Sequence, residues 1–84
     1  MDRSALHTLT VEFGSADHTR TLLSFAADLH RRQIAITALS FSVRNPARVR
    51  IEAQFTASPR QARTAQRTMD GKVDVLHTAL TTSP

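Results

Sequence analysis

At 84 residues and a net charge of +4, the chain has room for one domain with a modest core. It contains no cysteine, which excludes disulfides, thiol chemistry and cysteine-held metals. No apolar run approaches the roughly 20 residues that span a bilayer, and a charge of this size is ordinary for the solvated surface of a small domain.

Residues 7–13 alternate, placing Leu9, Val11 and Phe13 on one face, the period-2 pattern of a half-buried strand. Gly14-Ser15-Ala16 reads as a turn and Asp17 as a helix N-cap. Leu22, Phe25, Ala26 and Leu29 follow helical spacing, with Arg20, Ser24, Asp28 and Arg31 elsewhere on the wheel, so a helix is expected to about Arg32. Residues 34–43 form a second strand with an internal phase change. Ile34 and Ile36 share one parity and Leu39, Phe41 and Val43 the other, which a bulge near Thr37-Ala38 reconciles. Arg44-Asn45-Pro46-Ala47 is a turn, because Pro46 has no ladder donor and biases Asn45 away from helix. A third strand then turns Val49, Ile51, Ala53 and Phe55 inward.

Ser58-Pro59-Arg60-Gln61 reads as a helix start: Ser58 caps, Pro59 suits the first helical position and Gln61 closes a capping box. This second helix has a thin apolar stripe, Ala62, Ala65 and Met69, so it must pack close to a sheet. Asp70-Gly71 can end it, residues 72–80 resume as a strand, and residues 81–84 are expected to fray.

The order β-α-β-β-α-β is the ferredoxin-like plan, an antiparallel four-stranded sheet with two helices on one face. One α+β domain is expected over residues 1–84, with its core at about 5–80. The open sheet face would carry Thr8, Thr10, Glu12, Ser40, Ser42, Arg50, Glu52 and Gln54, all polar or charged, as a solvent-facing or partner-facing sheet requires. With Phe13, Phe25, Phe41 and Phe55 as its entire aromatic content, so small a domain gains from burying surface against another chain. Residues 1–4 lack a signal peptide's apolar stretch, and a soluble cytoplasmic protein is the expectation.

No catalytic constellation stands out. There is no nucleophile elbow, paired-carboxylate spacing or glycine-rich phosphate cradle, and only two glycines. His7 and His77 fall on strands that neighbour each other in this plan, while His18 and His30 lie at opposite ends of the first helix. No pair has the i,i+4 spacing of a helical metal motif, so surface or rim histidines are expected, and no metal. Arg60, Arg63 and Arg67 form a basic stripe on the second helix, read as its solvated back, with contact to an acidic partner patch as the alternative. RNA-recognition domains share this plan but stack bases on exposed sheet aromatics; Thr8, Thr10, Ser40, Ser42 and Gln54 offer none. Neither nucleic acid nor membrane is an expected partner.

Ala57-Ser58-Pro59-Arg60, followed by Gly71-Lys72-Val73-Asp74-Val75-Leu76-His77, resembles the short small subunit of bacterial acetolactate synthase, an ACT domain. The family's second-helix exit typically reads K-L-V-D-V, and the resemblance covers roughly residues 7–80. It implies a regulatory subunit without chemistry of its own or cofactor of its own. Such a subunit binds and activates a large catalytic subunit carrying thiamine diphosphate, FAD and magnesium in branched-chain amino-acid (valine, leucine, isoleucine) biosynthesis. Many members bind valine at an ACT dimer interface. They use a glycine-containing turn after the first strand and an arginine-glycine-aromatic-asparagine-isoleucine run entering the second.

The corresponding effector positions here are Gly14, Ser15, Ala16, Asp17 and His18, with Gln33 and Ala35. Ala16 stands for the turn glycine, Gln33 for the glycine after arginine, and Ala35 for the ligand-binding asparagine. Alanine offers no side-chain hydrogen bond to an amino-acid ligand, and two lost glycines limit positive-φ geometry. Weak or absent valine sensitivity is expected. The second strand, with Ile34, Ile36, Leu39 and Phe41 and no Pro or Lys to block pairing, is the expected homodimer edge. A free-standing ACT domain that binds an amino acid and regulates another enzyme is the alternative.

Overall fold

A computed structural model describes residues 4–83. The elements follow the expected order: β1 Ala5–Phe13, α1 His18–Arg31, β2 Ile36–Asn45, β3 Arg48–Ala57, α2 Pro59–Asp70 and β4 Val75–Thr82. All strand pairings are antiparallel, in the order β2-β3-β1-β4, so β3 and β1 are central while β2 and β4 are edges. The alternation of β1 and β3 places Leu9, Val11 and Phe13 with Val49, Ile51, Ala53 and Phe55 on the helix side, where all are buried. Phe25 and Leu29 of α1 and Ala62, Ala65 and Met69 of α2 close the core.

Local chemistry sets the element ends. Asp17 Oδ1 accepts from Arg20 N at 3.2 Å, and the buried Thr21 hydroxyl contacts both Asp17 O (2.8 Å) and Ser15 Oγ (2.9 Å), pinning the entry to α1. At the exit, Gln33 N donates to His30 O and Ile34 N to Leu29 O, with Gln33 at φ 61°. This is a Schellman turn, and the position usually filled by glycine holds glutamine. The positive φ expected to be lost with the glycine is therefore kept, at a conformational cost of roughly 1–2 kcal/mol. The same turn explains a boundary correction: Ile34 is drawn back onto Leu29 and buried, so β2 begins at Ile36 rather than Ile34.

The phase change in β2 is a bulge. Ile36 pairs with Phe55 and Ala38 with Gln54, leaving Thr37 as the extra residue, its hydroxyl donating to Gln54 O at 3.1 Å. Asn45 Oδ1 accepts from Ala47 N at 2.9 Å and holds the β2–β3 hairpin. The capping box of α2 is complete: Ser58 Oγ accepts from Gln61 N at 3.1 Å, and Gln61 Oε1 from Ser58 N at 3.0 Å. Gly71 caps the end of α2 with φ −79°, so its left-handed freedom is unused.

The last strand is shifted. Lys72, Val73 and Asp74 form a turn, and β4 begins at Val75. Thr81 and Thr82 do not fray: both belong to β4, and Ser83 N donates to Leu6 O at 2.9 Å. Pro84 lies outside the described residues. No helix among the described residues is long and apolar enough to cross a membrane.

Candidate effector and partner interface

The β1–α1 turn is satisfied from within. Gly14 N donates to Asp74 O at 2.8 Å, and His18 Nε2 donates to Pro46 O at 2.8 Å, tying the start of α1 to the β2–β3 hairpin. Among the described residues Gln33 alone has a positive φ, so neither Gly14 nor Ala16 occupies a backbone state reserved for glycine. The absence of glycine at Ala16 therefore costs the turn nothing in conformation. A Cβ at Gly14 would approach the Leu76 side chain at 3.4 Å, so that position limits size instead.

Gln33 and Ala35 lie at the opposite end of the sheet. They line a cleft of about 500 Å³ with His30, Arg31 and Ile34, in which the exposed Ala35 contributes no polar side chain. The length of β2, ten residues or about 33 Å, separates this end from the hairpin beside His18. A single chain therefore does not assemble Gly14, Ser15, Ala16, Asp17 and His18 with Gln33 and Ala35 into one site.

On β2 the bulge turns Leu39, Phe41 and Val43 toward the helix side, opposite Ala53, Ile51 and Val49. Ile36 and Phe41 are half-buried, while Leu39 stays 41% and Val43 49% exposed. Of the four expected edge residues, Ile36, Leu39 and Phe41 lie in β2. Ile34 belongs to the core instead.

The open face carries the expected polar residues. Arg48 reaches Glu12 at 3.8 Å and Arg50 reaches Glu52 at 3.7 Å, both solvent-screened pairs of small energetic weight. Phe41, the edge-strand aromatic, faces the helix side, whereas the exposed His77, paired with Glu12, lies on the open face beside Thr10 and Arg50.

The histidines need a correction. His77 pairs with Glu12 and His7 with Thr82, so they lie at different levels of the β1–β4 ladder. His7 is not at the rim but 1% exposed, with Nδ1 2.9 Å from Thr82 Oγ1, Nε2 donating to Ala57 O at 2.9 Å, and the Phe55 ring tilted against it at 5.8 Å between centroids. Its parity with Leu9 was the available signal. Asp28 was also missed. It is buried, pairs with Arg31, and meets Lys72 Nζ at 2.7 Å as an ion contact rather than an aligned hydrogen bond. Its i+3 spacing from Phe25 placed it on the buried stripe. Lys72 also donates to Ser24 Oγ at 3.2 Å, fastening the α2–β4 turn to α1.

The sequence matches no protein-family model and no curated protein. Solved structures share the fold. The uncharacterized protein TM1266 from Thermotoga maritima superposes with a TM-score of 0.78 at 11% identity, over 98% of this chain and 100% of its own. The C-terminal domain of MgtC from Mycobacterium tuberculosis gives 0.74 at 7% identity, over 94% and 87%. The regulatory subunit of aspartate kinase from Thermus flavus gives 0.56 at 20% identity, over 92% of this chain and 54% of that one. What these structures share with this chain is the ferredoxin-like βαββαβ fold with one antiparallel four-stranded sheet. This chain spans about half the length of the aspartate kinase subunit, so the likeness concerns the domain and not the whole.

Proposed function

We propose that this ACT-like chain is a non-catalytic regulatory subunit that works by protein–protein contact. The observation that carries this reading is the β2 edge, where Leu39 and Val43 face the helix layer yet stay open to solvent beside the unpaired outer edge of the strand. Edges of this kind are normally paired or covered. Pairing two β2 edges antiparallel about a two-fold axis would give an eight-stranded sheet. The hairpin end and His18 of one copy would then stand near Gln33 and Ala35 of the other, the arrangement an interfacial effector site needs.

The partner we propose is the acetolactate synthase large subunit, on the resemblance of Gly71-Lys72-Val73-Asp74-Val75 to that family's small subunit. In this reading the thiamine diphosphate, FAD and magnesium belong to the large subunit, and the chain itself is not an enzyme. Ala35 removes a polar anchor, so valine feedback is weak or absent. The second reading, a free-standing domain that regulates a different enzyme, draws on the aspartate kinase regulatory subunit among the structural neighbours.

The deciding experiment is acetolactate synthase activity of the cognate large subunit, with and without this chain, across a valine titration. Activation without valine inhibition supports the first reading, and no activation moves the function to the second. Light scattering at micromolar concentration tests the β2 pairing, which a monomer would overturn.

A further inference from the structure

The second-helix arginines do not all face open solvent as a plain stripe. Arg60 lines a cleft of about 300 Å³ between the end of α1 and the start of α2, together with Arg31, Arg32, Ile34, Gln61 and Thr64. Three arginines, two from the end of α1 and its cap and one from the start of α2, thus line one concavity, and none of its lining residues is acidic. Arg31 is partly neutralised by Asp28. Arg32 and Arg60 have no carboxylate within 4.0 Å among the described residues. Gathering like charges costs free energy that an anion in the cleft would recover. The polar lining is biased toward donors: Gln61 Oε1 is committed to Ser58 N, leaving its amide NH₂, while Ile34 and the arginine stems give an apolar wall.

We infer that this cleft binds a small dianion, a phosphate group or a dicarboxylate, held by the forks of Arg32 and Arg60. Each guanidinium presents paired N–H donors that match two oxygens of such a group. The volume lies at the lower end of the range for small-ligand sites. The cleft opens between the helix ends rather than along β2, and the inference stands independently of the regulatory reading.

The test is a titration of the full chain with inorganic phosphate and, separately, with succinate, each against sodium chloride at matched ionic strength. Melting temperature and amide shifts of Ile34, Gln61 and Thr64 are the readouts. The expected result is a saturable response to at least one dianion, beyond the chloride control. A double variant, Arg32→Gln with Arg60→Gln, weakens it by at least about tenfold. The charge-matched control, Arg63→Gln with Arg67→Gln, alters it less than about twofold, because surface charges outside the cleft are screened. Saturation by phosphate alone identifies a phosphate ligand, by succinate alone a dicarboxylate, and by both a site for dianions generally. A response that tracks ionic strength, or that falls equally in both double variants, overturns the site. The wild-type amide shifts decide the matter even if a variant misfolds.

Discussion

Val49, Ile51 and Ala53 of β3 sit directly across from Val43, Phe41 and Leu39 of β2, facing the same side of the same sheet. The three on β3 are fully buried, whereas Leu39 and Val43 remain nearly half exposed. Chemistry and parity are shared, so the difference comes from position: β3 has a strand on each side, while β2 has one strand neighbour and an open edge. Alternation therefore reports which face a residue points to, and cover by other elements decides whether that face is sealed. An apolar edge left open in an otherwise closed core is the feature that a second chain would complete.

Four substitutions break or sharpen this contrast. The largest effect is expected at the sealed centre: Phe55→Ala removes a fully buried ring and should destabilise by about 3–5 kcal/mol, read as a fall in urea midpoint. In so small a domain that loss is enough to unfold much of the population. His7→Leu, near the same ring, keeps the volume but leaves Ala57 O and Thr82 Oγ1 without the imidazole, costing about 1–3 kcal/mol. An unchanged midpoint would show that the central strands tolerate loss of their polar tie to β4.

At the entry to β2 the sign reverses. Gln33→Gly relieves the left-handed strain and should raise stability by up to about 1 kcal/mol, measured by the same denaturation. The smallest effect is expected for Leu39→Ala in dilute monomer, about 1 kcal/mol or less, because much of this side chain is already wet. If Leu39→Ala matched Phe55→Ala under those conditions, the contrast between edge and centre would fail. If its cost grew with protein concentration, the edge would be an interface.

Much of the architecture was legible because its signals are local. The capping box at Ser58 and Gln61, the turn around Asn45-Pro46 and the parity change at the Thr37 bulge are each written in residues within a few positions of one another. The boundaries that moved depend on distant partners. Residues 72–74 leave the strand for a turn in which Lys72 is drawn to Asp28 and Ser24, and Thr82 joins it because His7 waits across the ladder. Ile34 leaves β2 because the turn around Gln33 folds it onto Leu29. Of the candidate effector positions, the sequence could name Gly14 through His18, Gln33 and Ala35, but not that one chain holds them at opposite ends.

By itself, then, the sequence determined the order and type of the elements, the inward Leu9, Val11 and Phe13 of β1, the apolar inward residues of β3 and α2, and the polar character of the open face. Periodicity and caps encode these within a few residues. The tertiary structure alone decided that Leu39 and Val43 are uncovered, and that Arg31, Arg32 and Arg60 share a cleft. Those outcomes depend on which elements come to lie side by side, a long-range property set by the packing of the whole chain.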